Sequence, residues 1–199
     1  MKRCLALLLV AVLLAAAGCG STPTRFYTLV PLSQAGPSNA FTSQNITVGV
    51  GPVEFPEALD RPQIMTRRGQ NEFDLSEFDQ WAEPLQDNFT EVLAENLSIL
   101  LPAKRVVVYP WDRPTEIDYQ VVVKVLRFDR SVGGDAVLRV RWSIKSPSNG
   151  NELLARETSY ARRPTGEGYK ATVEAMNSVL DEFSRNVAMA IQGLKRNSP

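Results

Sequence analysis

The feature that most constrains this chain is an apolar run that ends at a cysteine, because it determines where a folded domain can begin. Two basic residues precede the apolar residues 5–14, and the small residues 15–18 lead directly to Cys19. About ten apolar residues are too few to cross a hydrocarbon core of roughly 30 Å as a helix, but they suit a signal peptide. We therefore predict a lipoprotein signal at residues 1–18 and lipid attachment at Cys19. The alternative is an ordinary secretory signal that ends near a cysteine by chance.

Length and charge indicate one globular domain after the signal. Removing the first 18 of 199 residues leaves 181, which is enough for a single domain with a sizeable core. The chain has 22 basic and 22 acidic residues, and two of the basic ones belong to the signal, so the remainder carries a net charge of −2. With this charge and no basic stripe, we expect no nucleic-acid binding. We predict a lipidated tether at residues 19–24 and one periplasmic domain at residues 25–199.

Catalytic chemistry is restricted because the chain has no histidine and no spare thiol. Cys4 leaves with the signal, and Cys19 is expected to carry lipid. A Ser-His-Asp triad, a Cys-His pair and a zinc site built from Cys and His are therefore excluded. Carboxylate chemistry, Ser-Lys chemistry and an oxygen-ligand metal site stay open by residue type, yet no catalytic signature stands out. We predict a protein that is not an enzyme, with no catalytic residues, no metal site and no cofactor.

Hydrophobic periodicity predicts two amphipathic helices and a three-strand meander. Apolar residues recur at three- and four-residue intervals over residues 83–101 and about 168–195. Residues 117–128, 136–144 and 152–162 are predicted to be antiparallel strands, with the Asn149-Gly150 pair as the strongest turn signal.

Shorter runs rich in β-branched and aromatic residues predict further strands at 25–30, 46–51, 63–67, 72–75 and 105–109. Two prolines favour irregular structure over residues 52–61. The predicted fold is therefore a single α+β domain, with a mainly antiparallel sheet, including the meander, packed on one face against two helices.

Three side chains are candidates for contact with a partner protein. Trp81 precedes the first helix, where it can pack onto the first helical turn or stand exposed as an aromatic anchor. Packing is the favoured interpretation. Strand alternation places Arg139 and Arg141 on the face of the meander that is exposed to solvent, where they could pair with carboxylates of a neighbouring subunit.

Two clusters of charged residues have both a functional and an ordinary interpretation. Asp74, Glu77 and Asp79 could form a metal site or a carboxylate pair, but their spacing favours a solvated acidic segment. Arginines at 156 and 162–163 could face anionic lipid head groups, although nearby glutamates favour an ordinary mixed-charge surface.

Two motifs stand in the register of a known family. Residues 26–29 (FYTL) follow Cys19 within ten residues, and residues 81–85 (WAEPL) run into residues 92–97 (VLAENL). Together with the meander and the C-terminal helix, they cover essentially the whole mature chain. The chain resembles the ABC-type transport auxiliary lipoproteins, and specifically the PqiC-like (paraquat-inducible protein C) group.

This resemblance implies a periplasmic domain that is anchored in the outer membrane through Cys19. It implies a non-catalytic accessory subunit of an MCE-type transport system, which moves phospholipid or other apolar molecules between the two membranes and maintains envelope integrity. An MCE-domain tunnel protein is the implied partner, and a homo-oligomeric ring is the implied assembly. The family has no established catalytic residues to carry over. Position 20, directly after the cysteine, is glycine and not the aspartate that commonly retains such proteins in the inner membrane.

Two other functions stay open on the sequence alone. A stand-alone periplasmic carrier would hold a lipid or other apolar molecule in its own cavity, which needs an apolar pocket that its own side chains leave empty. A carboxylate-dependent hydrolase of cell-wall sugars would need paired acidic residues at a defined separation. No residue in the chain specifically supports the hydrolase.

Overall fold

The computed structural model describes residues 22–33, 44–111, 116–147 and 150–196, so the predicted signal and Cys19 lie outside the described residues. The eight strands are β1 (Arg25–Tyr27), β2 (Gln44–Glu54), β3 (Gln63–Arg68), β4 (Glu72–Trp81), β5 (Ala103–Val108), β6 (Tyr119–Ser131), β7 (Ala136–Ser146) and β8 (Asn151–Arg162). The helices are α1 (Leu85–Leu100) and α2 (Gly168–Arg196), and a short 3-10 turn lies at Glu57–Leu59. Neither α1 nor α2 is long and apolar enough to span a bilayer.

Strand β6 organises the sheet. Along one edge it pairs antiparallel with β7, and along the other it pairs in parallel with β2 and then, at its end, with β3. β8 joins β7 antiparallel, β4 joins β3 antiparallel, and β1 and β5 pair in parallel with β4 and β2. The predicted α+β class and the meander are confirmed. The earlier strands add parallel pairs to the sheet, because their crossover connections place them side by side in the same direction.

Both helices pack on one face of the sheet, and aromatic rings fill the junction between them. Phe89 of α1 and Phe183 of α2 are fully buried, and their rings stack with centroids 6.4 Å apart. Phe128 of β6 meets Phe89 edge-on at 5.5 Å, and Trp142 of β7 meets Phe183 edge-on at 5.9 Å. Such pairs stabilise a core beyond the area that they bury. The predicted apolar stripe of the C-terminal helix is therefore a core face.

Strand β2 differs from the prediction. The sequence predicted a strand that ends at residue 51 and irregular structure over 52–61, but β2 continues to Glu54. The pairing register with β6 shifts between Val50 and Val53, so Gly51 and Pro52 form an irregularity inside the strand rather than its end. A proline that cannot donate to the ladder is tolerated at such an irregularity.

The predicted hairpin between β3 and β4 is confirmed, but β4 is longer than expected and runs to Trp81. Its last three residues pair with β1, a partner far away in sequence that local periodicity could not indicate. The turn between β7 and β8 includes Gly150 at φ 70°, a conformation that favours glycine. Asn149 lies outside the described residues.

Phe183→Ala is predicted to lower the free energy of unfolding by about 3–5 kcal/mol, because it removes a large ring from the centre of the aromatic cluster. Equilibrium denaturation in urea measures this loss. Glu174→Ala, on the exposed side of the same helix, is the matched control and should change stability by less than about 0.5 kcal/mol. A loss below about 1 kcal/mol for the phenylalanine variant would contradict the assignment of this stripe to the core.

Candidate functional site

The segment that follows the predicted tether is the candidate functional site, because any force on a lipid anchor would reach the domain through it. Strand β1 pairs with only three residues of β4, and the Tyr27 carbonyl accepts the Ala82 N–H at 2.8 Å. So short a strand has few ladder hydrogen bonds of its own. Side chains from β4, α1 and α2 supply the remaining contacts.

Asp79 is the first of these side chains. Its carboxylate is buried, with the residue 4% exposed, and accepts hydrogen bonds from the Tyr27 hydroxyl at 2.8 Å and the Ser76 hydroxyl at 2.9 Å. The Arg25 guanidinium adds an ion pair, with Nε 2.8 Å from Oδ1. The expectation of a solvated acidic segment is therefore wrong for Asp79, whose oxygens accept hydrogen bonds from two residues of β1 and from Ser76 of β4. It fits Asp74, which forms an exposed ion pair at the surface.

Protonation at this cluster follows from its geometry. Burial alone would raise the pKa of Asp79, but the hydrogen bonds from Arg25, Tyr27 and Ser76 and the positive charge of Arg25 outweigh it, so this pKa lies below its ordinary value. The pKa of Tyr27 is raised, first by burial and then by its hydrogen bond to the carboxylate. Asp79 is therefore an anion that holds β1 in place.

Three asparagine side chains continue this attachment along the next residues. The backbone N–H groups of Leu29, Val30 and Leu32 donate to the Oδ1 atoms of Asn88, Asn177 and Asn96, at 2.7, 3.1 and 2.7 Å respectively. Asn88 also donates from Nδ2 to the Leu29 carbonyl at 3.3 Å, so it binds one residue through both backbone groups. We call Asp79 and these three asparagines the N-terminal clamp. Amide side chains can replace a strand partner in this way because each offers both a donor and an acceptor.

Asn96 also links the clamp to the interface between the helices. Its Nδ2 donates to the Asp181 carboxylate at 3.3 Å and to the Ser184 hydroxyl at 3.1 Å, both on α2. Ser184 is fully buried and donates to the Leu180 carbonyl at 2.8 Å. Burial raises the pKa of Asp181, and the hydrogen bond from Asn96 partly offsets this. One side chain thus joins the N-terminal segment, α1 and α2.

The clamp residues were largely missed by sequence reasoning. Asn96 stands in the VLAENL motif and Asp79 in the acidic segment, but neither was expected to hold the N-terminal segment. A usable signal was present, because Asn88 and Asn96 occupy the apolar stripe of the first helix. Buried polar side chains require partners, and here the partner is the docked backbone.

The polar groups of the clamp bind neighbouring backbone and side-chain groups. Its asparagines and its carboxylate are engaged with neighbouring donors and acceptors, which suits attachment rather than proton transfer. Within the described parts of the chain, no group of three or more Asp, Glu, His or Cys residues is placed to hold a metal ion. The arrangement attaches the start of the domain to its core.

Trp81 is not an exposed aromatic anchor, so this predicted surface role is wrong. The residue is 6% exposed and belongs to the hydrophobic core. It borders, with Leu85, Phe128 and Met176, a space of only about 10 Å³. The indole turns inward because β4 extends to residue 81 and places it beneath the helices. The packing interpretation, which the sequence also allowed, is the one that the structure supports.

Arg139 and Arg141 are exposed, as strand alternation predicted. Their side chains are 56% and 63% exposed, and both pair with Glu157 of β8, at 3.4 and 2.9 Å. Lys124 of β6 lies opposite Arg141 across the strands and pairs with Glu54 at 3.2 Å. We call these three cations and two carboxylates the basic face. It carries one net positive charge on the side of the sheet away from the helices.

Two of the three remaining candidate arginines belong to a mixed-charge surface. Arg162 pairs with Glu182 at 3.6 Å, and Arg163 pairs with Asp135 at 3.3 Å. Arg156 has a different environment, because it lines a groove between β8 and α2.

Asp79→Asn is predicted to cost about 1–3 kcal/mol of stability at neutral pH, because it weakens buried hydrogen bonds to β1. Since folding lowers the pKa of Asp79, its contribution is present above the unfolded value of about 4 and is lost as pH falls through the folded value. Urea denaturation between pH 3 and 7 should therefore show that the free energy of unfolding falls less on acidification in the variant than in the unchanged protein. Asp74→Asn, in an exposed ion pair, is the control and should cost about 0–1 kcal/mol. Equal losses at both positions would contradict the role of the buried carboxylate.

Comparison with known proteins places this architecture among related lipoproteins. The chain is 23% identical over 179 residues to the intermembrane transport lipoprotein PqiC of Escherichia coli (strain K12), covering 89% of this chain and 92% of that protein. The PqiC protein of Shigella flexneri matches with the same identity and coverage.

Solved structures share the fold. A protein from Xanthomonas campestris aligns with a TM-score of 0.72 at 16% identity, covering 86% of this chain and 97% of that one. An uncharacterized protein aligns with a TM-score of 0.71 at 20% identity, covering 85% and 99%. The model of the ABC-type transport auxiliary lipoprotein component family matches residues 27–188, from the clamped β1 strand into the last turns of α2. The chain therefore belongs to the family of ABC-type transport auxiliary lipoprotein components.

Proposed function

We propose that this protein is a periplasmic lipoprotein anchored in the outer membrane, where it is a non-catalytic accessory subunit of an MCE-type system for intermembrane lipid transport. Family membership supports a transport role, and the relatives named PqiC are intermembrane transport lipoproteins. The structural feature that supports this function most directly is the N-terminal clamp. It fastens residues 25–32 to the core directly after the predicted lipid site, which is what a membrane-tethered subunit requires.

The clamp would limit how far the domain can move from the membrane. Six positions separate Cys19 from Arg25, and an extended chain advances at most about 3.3–3.6 Å per residue, so the tether reaches roughly 20 Å. β1 is attached to the core through Asp79, and the residues after it are attached through asparagines of both helices. A force on the anchor would therefore act on the packed core rather than on an unattached end of the chain. The domain would therefore stay close to the membrane surface.

Outer-membrane residence follows from the residue after the lipidated cysteine. Gly20 occupies the place where aspartate commonly signals inner-membrane retention, so we expect sorting to the outer membrane. A lipoprotein anchor with several acyl chains buries far more methylene groups than a single myristoyl chain, whose attachment is only marginal. The attachment would then be stable without any membrane-spanning helix.

The basic face is the proposed contact for the partner, an MCE-domain tunnel protein, or for a neighbouring copy in a ring. Arg139 and Arg141 project from the free side of the sheet and share one carboxylate, so the pair retains a positive charge for an acidic surface. A ring of identical subunits uses head-to-tail contacts, in which two different patches of one chain meet. With Trp81 buried, the second patch must lie elsewhere on the domain.

The stand-alone carrier receives less support. The space between the sheet and the helices is filled by the aromatic cluster, including the fully buried Phe89 and Phe183. The groove between β8 and α2, about 350 Å³, lies at the small end of the range for ligand pockets. A subunit that works through attachment and docking fits this packing better than one that encloses a lipid.

Cys19→Ala is predicted to abolish acylation and to leave an unprocessed precursor, since the thiol that receives the lipid is gone. Radiolabelled palmitate incorporation and membrane fractionation measure the outcome. Cys4→Ala changes the other cysteine, within the predicted signal, and should give acylated protein of mature size. Recovery of acylated, mature-sized Cys19→Ala protein in the membrane fraction would show that the anchor assignment is wrong.

Reversing the charge of the basic face, with Arg139→Glu and Arg141→Glu together, is predicted to reduce co-purification of the MCE partner or the mass of the oligomer. Both side chains are largely exposed, so the melting temperature should shift by only a few degrees. The matched control is Lys104→Glu with Arg105→Glu, which makes the same charge change at exposed positions of β5. If the reversed face assembles and co-purifies like the wild type, the interface lies on another surface.

A further inference from the structure

Strand β8 lies at one edge of the sheet. It contains twelve residues and pairs with β7 on one side, and no other strand among the described residues pairs with it. The strand contains no proline, and from Leu154 to Arg162 it pairs with β7 in one continuous register, so the outward backbone groups of this stretch keep a regular spacing of donors and acceptors; the single register irregularity falls just before Leu154. An edge of this length is a template for an additional strand.

A groove runs beside this edge, between the helix-facing side of β8 and the C-terminal half of α2. Its volume is about 350 Å³, and its walls include Leu154, Met189, Ala190 and Gly193. Met189 is 59% exposed, which is unusual for a large apolar side chain on this helix. A Cβ atom placed on Gly193 would meet no atom within 4 Å, so the groove is open at that point. The groove can therefore receive an apolar side chain from outside.

The charge of the groove comes from Arg156. The other arginines of β7, of β8 and directly after it each pair with a carboxylate, namely Arg139, Arg141, Arg162 and Arg163. Arg156 lines the groove, and its guanidinium makes no ion pair or hydrogen bond with any described residue. Glu157, its neighbour in sequence, points to the other face of the sheet, where it pairs with Arg139 and Arg141. The groove therefore offers an uncompensated positive charge beside an apolar surface.

We propose that β8 binds an extended peptide segment of a partner protein as an added strand. Backbone hydrogen bonds along the edge would supply affinity, and the groove would supply specificity. Leu154 and Arg156 lie two residues apart on one face of β8, so the matching side chains of the peptide are also two residues apart. The recognised sequence is an apolar residue separated by one position from Asp or Glu.

This surface is separate from the basic face, because the groove lies on the helix side of the sheet and Arg139 and Arg141 lie on the other side. The inference therefore goes beyond the proposed function and does not rest on it. Failure to bind an MCE protein through the basic face would leave the peptide site unaffected.

The test uses the protein as it is purified from cells in detergent micelles and a displayed library of random octapeptides. Selected peptides should carry the apolar-x-acidic pattern, and a synthetic copy of one should slow hydrogen exchange of β8 amides. Arg156→Glu should weaken binding of that peptide at least tenfold and should redirect a repeated selection toward Lys or Arg at the acidic position. Lys170→Glu makes the same charge change at an exposed position on the first turn of α2 and should leave binding unchanged.

A second variant tests the apolar half of the site. Gly193→Leu places a side chain into open space at the groove wall, so the fold should be retained and peptide affinity should fall. Melting curves of both variants confirm folding. The proposal is overturned if the selected peptides lack the pattern, if Arg156→Glu binds as the wild type does, or if protection appears on another strand. It is also overturned if a fatty acid displaces the peptide from the groove, or if a second copy of this chain already protects β8 without peptide.

Discussion

The contact between Phe89 and Phe183 is the interaction on which the rest of the structure depends. It joins the two helices over the centre of the sheet, and the edges of Phe128 and Trp142 complete it from β6 and β7. After the predicted signal the chain has no thiol other than Cys19, so no disulfide is available to stabilise the domain. Packing of this aromatic cluster therefore carries the stability that small envelope domains often obtain from covalent cross-links.

The N-terminal clamp depends on that core in a physical sense. Asn88 and Asn96 can bind the backbone of residues 29 and 32 only because α1 is held at a fixed position on the sheet. The core depends on the clamp in turn. The docked backbone forms hydrogen bonds with side-chain amides that would otherwise be buried without partners on an apolar helix face. Attachment of the N-terminal segment and folding of the domain are thus parts of one structure.

The meander gives the domain two surfaces with different chemistry. Its outer side carries Arg139 and Arg141 around Glu157, a polar surface suited to an acidic partner. On its helix side, Arg156 borders a groove with apolar walls, beside the outer edge of β8, with which no other described strand than β7 pairs. Strand alternation separates these surfaces, because neighbouring residues of one strand point to opposite faces. The two proposed contacts therefore use separate surfaces of one chain.

Local patterns were sufficient for much of the fold. The stripes on both helices, the alternation at Arg139 and Arg141 and the turn at Gly150 depend on residues close together in the chain, so the sequence by itself determined the helices, the meander and its exposed basic side. The burial of Trp81, the parallel pairing of β1 with β4, and the clamp around Asp79 were decided only by the tertiary structure. In each of these, the partner lies more than 50 residues away or belongs to the packed helices, and periodicity along a chain carries no information about such distant contacts.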